Sequence, residues 1–125
     1  VDVSLILPGK PDKVAAYSLA KTHYTSLLNS GVKIYEYTPG FVHAKVCVAD
    51  DREAMVGTIN LDYRSLFLHF ECGVFMYKTK ALMQLKEDCM DTFAASEEMT
   101  LEFCRGQNVF IRIFQGMMRL FAPLL

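Results

Sequence analysis

Residues 43–60 read His43-Ala44-Lys45-Val46-Cys47-Val48-Ala49-Asp50-Asp51-Arg52-Glu53-Ala54-Met55-Val56-Gly57-Thr58-Ile59-Asn60, and this stretch decides the fold. If residues 42–49 form a strand, side chains alternate, so His43, Lys45 and Cys47 share one face and Ala44, Val46 and Val48 the other. An apolar strand from Ala54 to Thr58 runs back beside it after the Asp50-Asp51-Arg52 turn, making a hairpin. Imidazole, ammonium, hydroxyl and amide then converge at one end of a sheet. That set suits an anionic phosphodiester. A histidine can attack phosphorus or move a proton, and Lys and Asn can hold the oxygens where charge develops. A single strand histidine is commonly structural and a single lysine commonly solvated. Six specified positions in fixed register are improbable by chance, because each residue type occurs at roughly one in twenty.

The stretch resembles the signature of the phospholipase D superfamily, His-x-Lys-x-x-x-x-Asp followed after six residues by Gly-Ser/Thr-x-Asn, and the match is complete. The continuation Leu61-Asp62-Tyr63-Arg64-Ser65-Leu66-Phe67-Leu68-His69-Phe70-Glu71 is similar to that of bacterial cardiolipin synthases. The resemblance extends over nearly all of the chain, including Leu7-Pro8-Gly9-Lys10-Pro11-Asp12 and the Phe- and Met-rich tail. It implies that Glu71 pairs with His43, where a carboxylate would fix the tautomer and stabilise the imidazolium. His69 departs from the pattern, which has Asn there.

The chain has 125 residues, 52% of them hydrophobic, enough for one domain with a real core. Its net charge of -1 supplies no basic field of the kind that sequence-independent nucleic-acid binding uses, so no nucleic-acid partner is expected. No apolar run approaches the roughly 20 residues of a membrane span, and no signal peptide is seen, so this stretch is expected to be soluble. Cys47, Cys72, Cys89 and Cys104 form no CxxC pair and no metal-ligand spacing with histidine, and read as reduced core residues; no cofactor is called for.

Val1 to Leu7 reads as a buried strand that opens without a preceding turn or leader, which suggests a piece of a longer protein. Pro11 suits the first position of a helix running to about Ser30, with Ala16, Ala20, Tyr24, Leu27 and Leu28 facing the core, His23 at the surface or boundary, and Gly31 as the stop. Lys10, ahead of that helix, is either an anion contact or a solvated lysine. Val32 to Tyr37 alternates as a second strand. Tyr35, Tyr37 and Phe41 either line the approach to the catalytic face or pack in the core. A further strand runs from about Leu68 to Tyr77, with Arg64 and Ser65 in the loop before it. Thr79 to Ser96 reads as a helix with Leu82, Leu85, Cys89 and Phe93 on its packing stripe. Asn108 to Phe121 reads as another, with Phe110, Ile113, Phe114, Met117 and Phe121 on one face and Arg112, Gln115 and Arg119 opposite, before Pro123; it is a core-packing or an interfacial helix.

The expected fold is α/β, a mixed β-sheet flanked by helices on both faces, the phospholipase D-like sandwich. Residues 1–125 are expected to be one such domain, the C-terminal half excised from a longer two-signature enzyme. His43, Lys45, Asp50 and Glu71 are the catalytic candidates, with Asp50 holding the hairpin; Lys45, Thr58, Asn60 and Arg64 are the phosphate-binding candidates, Arg64 either clamping a phosphate or tying its loop to the domain. The resemblance implies a phosphatidyltransferase that makes cardiolipin from two phosphatidylglycerol molecules through a phosphohistidine, with release of glycerol and no metal. It implies as partners the phospholipid substrate, the membrane surface, and the N-terminal half of the enzyme or a second copy, at a bacterial cell membrane. The alternatives are a self-sufficient homodimeric phosphodiesterase of the same superfamily and a non-catalytic lipid-binding module.

Overall fold

The computed structural model describes residues 1–11, 13–106 and 108–118. In chain order the elements are β1 (Ser4–Pro8), α1 (Val14–Asn29), β2 (Lys33–Tyr37), β3 (Val46–Ala49), β4 (Glu53–Gly57), α2 (Tyr63–Phe67), β5 (Gly73–Tyr77), α3 (Lys80–Ala94), β6 (Ser96–Met99), α4 (Leu101–Arg105) and α5 (Val109–Met118). The class is α/β, as expected. The chain forms two compact units, one comprising residues 1–42 and those from 95 on, the other His43–Ala94.

In the first unit β2 is the central strand of a mixed sheet ordered β1-β2-β6. β1 and β2 pair in parallel, a geometry that needs a crossover, and α1 is that crossover. Pairing continues past β1, with the Gly9 amide donating to the Tyr37 carbonyl at 2.9 Å. A Cβ on Gly9 would sit 2.7 Å from that oxygen, so only glycine fits there. The chain must still turn away from the sheet after Gly9, and α1 therefore starts at Val14 rather than at Pro11. The far end of α1 stops at Gly31, whose φ is +86°. The Gly31 amide donates to Leu28 and the Val32 amide to Leu27, each at 3.1 Å, which makes a Schellman cap.

Tyr24 from α1, Ile34 from β2, Met99 from β6 and Cys104 from α4 form the buried core of this unit, with Leu7, Leu27, Leu28 and Val32 packed on it. A charged group shares that interior. Glu36 is 5% exposed. It accepts from the Tyr24 hydroxyl at 2.8 Å and the Tyr17 hydroxyl at 3.2 Å, and pairs with the Lys21 ammonium at 3.3 Å. Burial first, and the Glu36 carboxylate second, push the Tyr24 hydroxyl far above its ordinary 10.0. Because the folded value is raised, the stability this group contributes is present below about pH 10 and falls as pH rises further. Tyr24→Phe is expected to flatten the alkaline limb of a pH–stability curve by about one proton, roughly 1.4 kcal/mol per pH unit, in urea titrations from pH 9 to 11.

Two elements here were not expected from sequence, β6 and α4. β6 is Ser-Glu-Glu-Met, with one buried residue, Met99 opposite Ile34. Thr100 then caps α4, its side chain accepting from the Phe103 amide. α5 packs along α1 and leaves Phe110, Ile113, Phe114 and Met117 exposed. The expected continuation through Arg119, Phe121 and Pro123 lies outside the described residues, as do the Arg112 and Gln115 side chains. Tyr35 and Tyr37 are half-buried and Phe41 exposed, while His23 is at the surface. Lys10 donates to the Pro39 carbonyl at 3.4 Å.

In the second unit β4 is central to an antiparallel sheet ordered β3-β4-β5. The β3–β4 hairpin turns through Asp50 and Asp51, both with positive φ (49° and 55°), closed by the Arg52 amide on the Ala49 carbonyl at 3.0 Å. Two positive φ values at the centre of a tight turn match the right-handed twist of paired strands, and Asp tolerates them better than most residues. Lys86 of α3 holds this turn through Asp51 at 2.6 Å. Leu82 of α3 is buried and Leu85, Cys89 and Phe93 half-buried, the expected stripe. The core-cysteine expectation is corrected: Cys104 alone is buried, Cys47 and Cys72 are exposed and Cys89 is intermediate, all four as free thiols. Strand alternation turns Cys47 to the open face of the hairpin, which is why composition alone misplaced it.

Candidate active site

The regular strands begin later than expected, at Val46 and Gly73. The signature residues therefore sit in the extended segments that lead into them, at the open end of the hairpin. Lys45 still belongs to the ladder, since its carbonyl accepts from the Gly57 amide at 3.1 Å. His43 precedes it by two residues, and the Lys45 ammonium lies 2.9 Å from His43 Nε2 and 2.8 Å from the His43 carbonyl. An ammonium only donates, so Nε2 must be the unprotonated nitrogen and Nδ1 carries the hydrogen. The basic and nucleophilic nitrogen of His43 is thereby aimed at the charge that would hold a phosphate oxygen.

Gly57 explains how the next part of the site is assembled. A Cβ there would overlap the Cys72 carbonyl and come within 2.7 Å of Gly73 Cα. Its absence lets Thr58 close on the strand entering β5. The Thr58 amide donates to the Cys72 carbonyl at 2.9 Å and the Cys72 amide returns to Thr58 Oγ1 at 3.0 Å. The Thr58 hydroxyl then donates to the Glu71 carboxylate. Gly57→Ala is expected to cost about 1–3 kcal/mol or more, because backbone cannot yield as a side chain can, and to be seen as a lowered denaturation midpoint at unchanged m value.

Glu71 is half-buried. Hydrogen bonds from Thr58 first and Ser65 second hold its carboxyl below the ordinary 4.5; burial opposes them, and the neighbouring His69 and Lys45 assist. With the folded value lowered, Glu71 stays ionised through the neutral range, and its contribution to stability is lost only as pH falls through that lowered value.

Ser65 and Arg64 were expected in a loop and instead lie in α2. Asp62 caps this helix by accepting from the Ser65 amide at 2.8 Å, an Asp-x-x-Ser signal that the sequence carried. Arg64 Nη2 lies 3.2 Å from His69 Nε2, so the departing residue of the motif is the partner of the phosphate-clamp candidate. Asn60 is exposed in the segment between β4 and α2. Asp50 stands at the opposite end of the hairpin, in the turn, with the four ladder positions Val46–Ala49 between it and Lys45. The fold thus brings together His43 with Lys45, Thr58 with Glu71, and Arg64 with His69, while Asp50 stays apart.

A family profile described as "Cardiolipin synthase, PLD-like domain" matches residues 1–92. The whole chain aligns with cardiolipin synthase 2 of Bacillus anthracis at 38% identity, covering 24% of that protein. It aligns along its whole length with the cardiolipin synthase of Clostridium perfringens at 39% identity, covering 26%. An uncharacterized protein of Streptococcus mutans is 50% identical over the same 125 residues, 27% of its length. The chain spans about a quarter of the length of the curated relatives it matches.

Proposed function

Because the chain belongs to the cardiolipin synthase, PLD-like domain family, we propose that it is the signature-bearing quarter from the C-terminal catalytic half of a phosphatidyltransferase that makes cardiolipin from two phosphatidylglycerol molecules. The observation that carries this reading is the pairing of His43 Nε2 with the Lys45 ammonium at 2.9 Å, a base and a phosphate anchor from one strand segment.

A histidine of the other half attacks the donor phosphorus. An N–P bond forms, the P–O bond to glycerol breaks, and His43, which enters this step as the imidazolium, gives its Nε2 proton to the departing oxygen. His43 then removes the hydroxyl proton of the second phosphatidylglycerol, whose oxygen forms the new P–O bond as the N–P bond breaks. Lys45 and Asn60 hold the non-bridging oxygens as charge builds on them, Arg64 clamps a second phosphate, and Glu71 orients His43. Asp50 serves by holding the hairpin. The enzyme works at the bacterial membrane surface, where its substrate lies; among the described residues no helix is long and apolar enough to cross a bilayer.

The test incubates this chain with phosphatidylglycerol vesicles, alone and in a chimera where it replaces the corresponding quarter of the Bacillus anthracis enzyme, scoring cardiolipin and phosphatidic acid. Silence alone and cardiolipin from the chimera are expected. Turnover by an isolated dimer would establish the self-sufficient phosphodiesterase instead. A folded chimera with no turnover, while the parent enzyme is active, would leave the lipid-binding module.

A further inference from the structure

His69, the departure from the motif, grips Arg64 at both of that residue's ends. The Arg64 carbonyl accepts the His69 amide at 2.8 Å, beside the Leu68 amide at 2.9 Å. The guanidinium returns the contact, with Arg64 Nη2 3.2 Å from His69 Nε2. A guanidinium only donates, so Nε2 of His69 must be the unprotonated nitrogen and Nδ1 carries the hydrogen. An imidazolium has no acceptor left, and the bond therefore belongs to neutral His69. Both residues are exposed, where a side-chain contact standing alone would gain little. Here the main-chain bond already fixes the two residues relative to each other, which lowers the entropy cost of holding their side chains together. An arginine aimed in this way keeps its other N–H groups for an anion, and its planar fork matches phosphate oxygens.

We propose that His69 is a positioning residue that aims Arg64 at the phosphodiester of the accepting phospholipid, and so favours transfer to a lipid hydroxyl over transfer to water. This rests on the proposed function, in which Lys45 and Asn60 hold the phosphate being transferred and Arg64 holds a second one. When the N–P bond breaks, the new P–O bond forms from one of two oxygens, each giving its proton to His43. The glycerol hydroxyl of the acceptor yields cardiolipin, and water yields phosphatidic acid. Only the lipid acceptor carries a phosphate of its own, linked covalently to the hydroxyl that reacts. A clamp on that phosphate therefore assists the lipid route alone. Among the described residues the charged groups that face His69 are Arg64, from α2, and Glu71, from the same segment as His69 itself.

The test has two arms. The first reads the His69 tautomer from long-range nitrogen–proton NMR spectra of the whole 125-residue chain, without lipid, at mildly alkaline pH where histidine side chains are ordinarily neutral. Wild type is expected to show the Nδ1–H form. Arg64→Ala is expected to revert to the Nε2–H form that predominates in an unpaired histidine, with native amide spectra; Arg64→Met, which keeps the aliphatic stem, replaces it should the alanine variant fail to fold. An Nε2–H form in wild type, or a tautomer that loss of the guanidinium leaves unmoved, overturns the pairing.

The second arm scores cardiolipin against phosphatidic acid made by the chimera from phosphatidylglycerol vesicles. His69→Ala is expected to lower that ratio roughly tenfold, as Arg64→Ala does, because a guanidinium that is no longer aimed forfeits a charge-assisted hydrogen bond to phosphate. His69→Gln is expected to restore the ratio, since its amide oxygen reaches the place of Nε2 and accepts from Arg64. A ratio that falls in Arg64→Ala but not in His69→Ala, or that Gln and Ala at position 69 lower alike, overturns the positioning role. A ratio that neither alanine variant moves overturns the aim at the acceptor. If the wild-type chimera makes neither product while the tautomer arm behaves as expected, the transferase reading and the acceptor role fail together, and the His69–Arg64 pairing stands.

Discussion

His43→Ala is expected to lower cardiolipin formation by the chimera roughly ten-thousandfold or more, at unchanged thermal midpoint and unchanged binding to phosphatidylglycerol vesicles. The size follows from the role. His43 both gives the proton to the leaving glycerol and takes one from the acceptor, so its loss affects both halves of the reaction. The side chain is exposed, and its removal takes little from the core. Lys45→Ala is expected to share most of the loss, since the two form one unit at 2.9 Å and their effects should not add. A double variant as impaired as either single one supports that coupling. A residual rate within tenfold of wild type in His43→Ala would remove histidine chemistry from this half of the enzyme.

Glu36→Ala is expected to cost about 3–5 kcal/mol, the largest stability effect of any single change at a polar residue in the first unit. Among the described residues three groups depend on Glu36: the Tyr24 and Tyr17 hydroxyls and the Lys21 ammonium. Removing the carboxylate leaves Tyr24, 1% exposed, with a hydroxyl that cannot reach water, and strips Lys21 of its counter-ion. Lys21 keeps partial relief, because its ammonium sits 4.3 Å from the Tyr17 ring centroid and 5.3 Å from that of Phe103. Urea unfolding of Glu36→Ala and Glu36→Gln checks this. Glu36→Gln should fall between wild type and alanine, since an amide can still accept from Tyr24. A cost under about 1 kcal/mol for alanine would mean that water replaces the carboxylate.

The two sets of groups differ in how far sequence could reach them. α1 was legible because its apolar residues recur at helical spacing and Gly31 offers the left-handed cap that its φ of +86° uses. The hairpin was legible because two alternating stretches flank a turn of residues that tolerate positive φ. α2 was not: a helix of five residues has no period to read, and its Asp62 cap was passed over beside the stronger motif signal. β6 was not legible either, because Ser-Glu-Glu-Met has no alternation and becomes a strand only when Ile34 and Met99 meet.

The sequence by itself determined the chemistry of this protein: which imidazole, ammonium, hydroxyl and carboxylate are present, and that His43 and Lys45 lie two residues apart on one extended segment. Spacing along a strand is a local property, and a side-chain period of two converts it directly into geometry. Only the tertiary structure decided what holds Glu71, and what allows Glu36 to be buried. Thr58 reaches Glu71 from the end of β4, and Tyr17, Lys21 and Tyr24 reach Glu36 across the β1-α1-β2 crossover. A buried or oriented carboxylate is stable only when donors from elsewhere in the chain complete its hydrogen bonds, and those partners exist only once the fold has formed.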